Sequence, residues 1–344
     1  MEAAREMLQQ GLMPTIFEKN DLIGGVWRND VGNVWTNMRT NLSRFNVSFS
    51  NHSWSKETHL FPTGMQVQEY LISFIDKFKL KNYIKCKTNV TSVKQNKSDN
   101  HWRVTWIFDD KTYEEVFDFV VVAIGPFSNP KIPNYDTELF KGQIIHSMSY
   151  NSLKNTTNLK DKKVLVIGHS FSATEICADL IEHQANVLNV FKSPHWIVKK
   201  FIKISEKKGC CPIDFELLNR KLMNDEEKLI QKNSFFSTIC PSQNKIKELF
   251  INPCSSNPPL IAISDTYLEL VEQNKIRLKK GYIQYLNANG VTFNDGSYED
   301  ADIVLFSTGY RLDLNFLDKN VLETIKYDSN DDLYPLILYK GNSL

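Results

Sequence analysis

Long apolar runs are missing from this chain of 344 residues: no window of about 18 apolar side chains occurs, so no transmembrane helix is expected. The first residues lack the charged-then-apolar order of a secretory signal, and the expected location is the cytoplasm. A charge surplus is missing too. Lys and Arg number 41 against 40 Asp and Glu, which leaves no basic stripe to attract nucleic acid. The six cysteines (Cys86, Cys177, Cys210, Cys211, Cys240, Cys254) form no C-x-x-C pair and are too sparse for a disulfide scaffold. They read as reduced, structural thiols, and no metal site is expected. The N-x-S/T sequons beginning at Asn41, Asn46, Asn51, Asn89, Asn96 and Asn155 read as chance matches in an Asn-rich chain. No repeat of fixed period is present, and no complete G-x-G-x-x-G occurs.

What is present fits roughly two domains of ordinary size. Three apolar, β-branched runs end in glycine: 119–125 (FVVVAIG), 163–168 (KVLVIG) and 303–309 (IVLFSTG). Continuous runs of this kind suit parallel strands buried on both faces, and the glycine then marks the carboxyl end where α/β sheets bind ligands. Residues 102–107 and 113–117, joined by Asp109-Asp110-Lys111, read as an antiparallel hairpin. Residues 66–79 read as a packed helix, with Val67, Leu71, Phe74, Ile75 and Phe78 on one face. The segment 197–256 carries a helix expected over 214–232 and no chemical motif, as befits an insertion that flanks a site. Strand character resumes at Gly290-Val291, before a turn at Asn294-Asp295-Gly296.

Two segments point to dinucleotide binding. At the start, a helix over 1–10, Gly11 and a short buried strand over 13–17 lead to Glu18, the position at which a βαβ unit places the acid that holds a ribose hydroxyl. The glycine loop of such a unit does not precede it in this sequence. The second segment is more complete. "KKVLVIGHSFSATEICADL" runs a strand into Gly168-x-Ser170-x-Ser172-Ala173 and then into an amphipathic helix, so that backbone N–H groups can hold a pyrophosphate. Ser170 and Ala173 replace the later glycines of the motif. The following strand, 187–191, ends on Lys192-Ser193 rather than on an acid, which suits a 2′-phosphate and favours NADPH over NADH. The bland alternative is a solvated loop lysine.

"FKGQIIHSMSY", with Phe140, Gly142, His146 and Tyr150, resembles the F-x-G-x-x-x-H-x-x-x-Y/F fingerprint of flavin-containing monooxygenases, the N- and S-oxygenating group. Baeyer–Villiger enzymes usually end a similar motif in Trp. "FEKNDLIGGVWR", "RTNLSRF", "FSNP", "IPNY", "GHSFSA" and "LFSTGYRLDL" resemble that family's motifs, in its order. The resemblance implies an α/β fold of two Rossmann-like domains, an NADPH domain inserted in an FAD domain, with a small antiparallel β element. The expected division is FAD-binding over 1–150, NADPH-binding over 151–300 with the insertion at about 197–256, and a return to the FAD domain over 301–344. It further implies that Glu18 holds the FAD ribose, that Gly24, Gly25, Val26 and Trp27 line the flavin, and that the Val90 backbone meets the adenine. Gly168, Ser170, Phe171, Ser172, Ala173, Lys192 and Ser193 would hold NADPH, and Thr308 and Gly309 would close the domain junction.

The chemistry so implied is transfer of one oxygen atom from O2, through a C4a-hydroperoxyflavin, to a soft amine or thioether in a dry pocket. Asn41 matches the family asparagine beside the reacting flavin, and an amide suits the place because it donates and accepts without titrating. His146 is expected to make a structural hydrogen bond, since the soft nucleophile needs no protein base. The chain departs from the family at Arg44-Phe45, Ile124, Pro126 and His169. The family's first strand and phosphate loop would lie before residue 1, and its terminal segment after "YPLILYKGNSL". Two other readings stay open: a flavin disulfide reductase, which would need a redox cysteine pair, and a regulatory, truncated remnant that binds NADPH but not FAD. Partners are expected to be O2 and a small molecule, with no nucleic acid and, for this chain, no membrane; membrane association of a longer form and a homodimer are left open.

Overall fold

The computed structural model describes the chain apart from residues 29–33, 36–37, 97, 99–100, 206–208, 218–225 and 326–344. Most of the expected return to the FAD domain over 301–344, from residue 326 on, lies outside the described residues, as does the middle of the helix expected over 214–232.

Its centre is a five-stranded parallel sheet, in spatial order Ile276–Lys280, Asn186–Phe191, Lys163–Ile167, Ile303–Phe306 and Gln143–His146. Each expected strand here is continuous and apolar because both faces are covered. Val164 and Val166 face one core with Ile176, Cys177 and Leu180 of the helix Phe171–Glu182. Leu165, Val304 and Phe306 face a second core with Val291 and Phe293. That second face is roofed by an antiparallel meander of Ile283–Asn287, Gly290–Phe293 and Tyr298–Asp300. From Lys163–Ile167 the chain moves outward in one direction to Asn186–Phe191 and Ile276–Lys280, then returns to place Ile303–Phe306 on the other flank. The strand order therefore reverses between Lys163–Ile167 and Ile303–Phe306, the point at which open α/β sheets leave a ligand crevice.

The run 119–125 is not a strand. It follows the hairpin Trp102–Phe108 and Lys111–Phe117 as irregular chain, with no backbone hydrogen bond among the described residues, and Phe119 and Val121 are 63% and 54% exposed. β-branched composition gives strand propensity, but a strand also needs a neighbour for its ladder, and none among the described residues pairs with this run. The same cause shortens the strand expected over 13–17. Only Ile16–Phe17 pairs, against Ile84–Lys85, and Met13 is exposed. The hairpin turns on two residues, Asp109 and Asp110, both at positive φ, and gains a third strand, Asn89–Gln95. Its core of Val93, Val104 and Trp106 is closed by Leu314, Leu317 and Val321 from the helix Lys319–Thr324 and the segment before it.

The helix Gly64–Lys77 starts on a capping box, Thr63 with Gln66, and buries Val67, Phe74 and Ile75; Leu71 and Phe78 are half-buried. The segment 197–256 has a core of its own. Trp196, Val198, Ile202, Ile213, Phe236 and Cys240 pack around the parallel pair Trp196–Val198 and Ile261–Ile263. Of the helix expected over 214–232, the described residues show Ile213–Leu217 and Glu226–Ile239. All six cysteines are free.

Tyr150 fastens the start of the helix Tyr150–Thr156 to the sheet's first core. It is fully buried, donates to Asp179 at 2.7 Å, and meets Trp35 edge-on at 5.6 Å, while Lys154 reaches the other oxygen of Asp179 at 3.0 Å. Burial and the Asp179 charge push the phenol's pKa up, so it stays a donor. Tyr150→Phe leaves Asp179, 5% exposed, with Lys154 alone, and is expected to cost roughly 1–3 kcal/mol in urea unfolding. An unchanged midpoint would contradict the account.

Candidate functional site

The site forms where Lys163–Ile167 ends. Gly168 has φ of 125°, and a Cβ there would lie 2.4 Å from the Ser307 carbonyl oxygen, so the strand can turn here only on glycine. Ser170 caps the helix Phe171–Glu182 in extended conformation without using its hydroxyl on the backbone. The first N–H groups of the helix, those of Phe171, Ser172 and Ala173, have no acceptor within it and face the turn. Ala173 is fully buried, which lets the helix start lie close on the sheet. Gly168 N–H donates to Val190 O at 2.8 Å, which sets the turn beside the end of the next strand, where Lys192 and Ser193 are exposed. The Lys192 ammonium rests 5.1 Å from the Tyr282 ring centre. The structure thus brings together Gly168, Ser170, Phe171, Ser172, Ala173, Lys192 and Ser193.

The fingerprint residues are structural in their contacts. Phe140 is buried in the second core and lies against Gly142, whose added Cβ would meet the Phe140 ring and the Asp302 carbonyl at 2.5 Å each. His146 bonds at both nitrogens: Nε2 to Gly309 O at 3.0 Å, and Nδ1 accepting from Met148 N–H at 3.2 Å. With Nδ1 an acceptor, Nε2 carries the proton and the ring is neutral. Gly309 O also accepts from Lys131 N–H at 2.9 Å, and the Thr308 hydroxyl donates to Lys131 O. Thr308 and Gly309 therefore join the segment around Asn129–Pro130 to the end of the central sheet.

The residues at the other end of the chain form a second group. Glu18 continues the short strand, its N–H donating to Lys85 O at 3.0 Å, and its Oε1 accepts from the Asn20 N–H and side chain at 2.9 and 2.8 Å. Val90 lies opposite Trp106 at a register shift and shares a core with Phe17. Gly24 and Gly25, both at positive φ, open a single turn, Gly25–Trp27, which includes Val26. Asn41 sits half-buried in a bend, its amide without a hydrogen-bond partner among the described residues.

Asn41 makes no direct bond to the glycine turn. The link runs through a residue that sequence reasoning missed. Asp214, fully buried, accepts from Ser43 N–H at 2.9 Å, Ser43 Oγ at 2.8 Å and Asn46 Nδ2 at 2.6 Å. Its neighbour Ile213 belongs to the core on which Phe171 packs. Sequence offered no signal for this contact, because 171 residues separate the partners. Asn189 was missed also. It is buried within a strand, donates to Val166 O and Gly168 O at 2.9 and 2.7 Å, and accepts from Tyr267 at 2.5 Å. Its signal was an amide inside the apolar run VLNVF of residues 187–191.

Two buried imidazoles, His146 and His169, and a half-buried one, His195, lie around these elements. Burial pushes the pKa values of His146, His169 and His195 down, His169 to about 3, and the Gly309 carbonyl holds back part of the shift at His146. Among the described residues, no helix is long and apolar enough to cross a membrane.

A family model described as flavin-binding monooxygenase-like matches residues 1–341. The N-oxide-forming dimethylaniline monooxygenase 2 of Cavia porcellus is 28% identical over 338 residues, which is 92% of this chain and 60% of that protein. Flavin-containing monooxygenase 1 of Homo sapiens is 26% identical over 359 residues, covering 96% and 63%. The chain thus spans about three-fifths of the length of these curated relatives. Among solved structures, an open form of cyclohexanone monooxygenase superposes with a TM-score of 0.69 at 20% identity, over 90% of this chain and 71% of that one. S-allyl-L-cysteine S-oxygenase from Allium sativum does so with 0.59 at 21%, over 92% and 61%. At these identities the likeness is one of fold, the two-domain α/β architecture of flavin monooxygenases.

The histidines set a pH dependence of stability. An imidazole in the unfolded chain takes up a proton below about 6.5, whereas the folded His169 does so only near 3. The unfolded state therefore binds more protons in this window. Stability is full above pH 6.5 and falls as pH drops towards 3, by at most about 1.4 kcal/mol per pH unit for each such histidine. Urea midpoints between pH 7 and 5 should show a shallower slope in His169→Phe than in the wild type, whatever the variant's absolute stability. Equal slopes would refute the assignment.

Proposed function

Because this chain belongs to the flavin-binding monooxygenase-like family, we propose that it is an FAD- and NADPH-dependent monooxygenase acting on a soft nitrogen or sulfur centre of a small molecule. The observation that carries the reading is the glycine turn at the strand-order reversal, with Lys192 and Ser193 exposed beside it. These residues fit NADPH: the helix start receives the pyrophosphate on N–H groups, while the ammonium and hydroxyl receive the 2′-phosphate. At the other group, Glu18 keeps Oε2 for a ribose hydroxyl, since Oε1 serves Asn20. Gly24 to Trp27 line the ring, and the Val90 backbone meets the adenine. Asn41 offers its unengaged amide to the reacting centre as donor and acceptor without changing charge. His146, neutral and bonded at both nitrogens, moves no proton and instead holds the junction at Gly309. Bound FAD supplies the oxygen-activating chemistry, with NADPH as the source of electrons and O2 of the oxygen atom. We assign residues 1–150 and 301–344 to the FAD-binding domain and 151–300 to the NADPH-binding domain.

A second reading is favoured by one observation. Among the described residues the run 119–125 has no ladder and the strand before Glu18 pairs over two residues, so the described part of the FAD half shows no continuous sheet like that of the other half. On that reading the chain binds NADPH without FAD. Purified protein separates the two: flavin absorbance together with NADPH oxidation driven by a tertiary amine or a thioether supports the first, and colourless protein that binds NADPH supports the second. In either case Lys192→Ala should weaken NADPH binding by about tenfold to a hundredfold, the worth of one charge-assisted contact, and leave NADH binding unchanged. Equal loss for both dinucleotides would remove Lys192 from the 2′-phosphate site.

A further inference from the structure

The loop that follows Asn186–Phe191 is held at its far end by groups from three directions. His195 N–H donates to His169 Nδ1 at 2.9 Å. The His195 carbonyl accepts from Gln243 Nε2 at 2.8 Å, and Ile197 N–H donates to Gln243 Oε1 at 2.9 Å. Trp196 N–H donates to Leu260 O at 2.8 Å. At its near end, Phe191 O accepts from Gly281 N–H at 2.8 Å. Only Lys192, Ser193 and Pro194 lie between these anchors, and the proline fixes its own φ. Of the anchors, His169 is the one that belongs to the glycine turn itself, directly after Gly168. Its ring is 3% exposed and packs 4.2 Å from the Phe191 ring centre and 5.6 Å from that of Tyr267.

We propose that His169 is the positioning residue for dinucleotide selectivity: it ties the turn that faces the pyrophosphate to the loop that presents Lys192 and Ser193 to the 2′-phosphate. The inference rests on the NADPH reading above. One neutral imidazole, accepting at Nδ1, fixes the spacing of the two anionic subsites before the ligand arrives, so the loop's ordering cost is met in folding rather than in binding. A protonated ring could not accept this bond, and burial keeps the ring neutral at physiological pH. The physical signature follows from the chemistry of the two dinucleotides. NADH and NADPH share the pyrophosphate, so general loosening of the fold weakens both, whereas a displaced 192–194 loop weakens NADPH alone.

The test is direct titration of the full chain with NADPH and with NADH, followed by nucleotide fluorescence or calorimetry, without flavin turnover. The wild type is expected to prefer NADPH. His169→Phe and His169→Leu, two fillings of different shape without an acceptor, should each lose about threefold to tenfold of that preference, the worth of one hydrogen bond. NADH affinity should stay within about twofold of the wild type. His169→Asn, whose Oδ1 can accept from His195 N–H, should retain most of the preference. If either acceptor-free variant folds with the wild-type preference, or loses affinity for both dinucleotides equally, the assignment is overturned. If both fail to fold, His169→Asn decides: a lost preference in a folded protein overturns it, and a kept one supports it. A wild type without preference overturns the NADPH reading itself, a result distinct from either.

Discussion

Everything at the site depends on how closely two parallel strand ends approach. Gly168 and Ser307 leave neighbouring strands at the place where the strand order reverses, and the Ser307 carbonyl occupies the space in which any side chain on residue 168 would lie. A residue without Cβ is therefore the condition under which the chain can turn, start a helix and present free N–H groups. The other arrangements adapt to that approach: Ala173 buried against the sheet, Asn189 bonding the carbonyls of Val166 and Gly168, and Thr308 and Gly309 bonding away from the turn to Lys131 and His146. Helix, neighbouring strand and junction are consequences of one steric restriction.

The two halves differ in how their backbone groups are satisfied. In the central sheet the three inner strands have covered faces, and the two outermost, which lack a neighbour on one side, are partly exposed. Around Glu18 the ordering forces are local: a two-residue pairing, an Asn20 bond to the acid, and a side-chain core shared by Phe17, Val90 and Trp106. The segment 197–256 mediates between the halves. Its core receives Phe171 on one side, and its Asp214 grips the loop of Ser43 and Asn46 on the other. What composition presents as a motif-free insertion is thus a coupling element, with a buried carboxylate as its polar contact.

Sequence made legible what is decided locally. KVLVIG followed by small residues specified strand, turn and helix start because each step depends on neighbours within a few residues, and Lys192 and Ser193 lie exposed at the end of the adjoining strand. The fingerprint was legible as well, down to a structural bond at His146. FVVVAIG was misread for the converse reason. Its residues fit a strand equally well, but pairing is a property of what lies alongside, and periodicity carries no information about that. Asp214 with Ser43, Gln243 with His195, and His169 with His195 were illegible on the same ground: each is a bond between segments far apart in sequence, made by a residue type that is ordinary on a surface.

The unpaired run has a colloidal consequence. From Phe119 to Ile124 there is no charge, no proline and no glycine, and of these six only Val120 is not exposed. Such a segment meets the composition of a self-complementary β-zipper, whose N–H and C=O rows are satisfied by an identical row on another molecule. Loss to self-association is second order in concentration, while folding is first order. Covering those six residues is therefore a requirement separate from the stability of the central sheet, because the packing of one does nothing to satisfy the exposed backbone of the other.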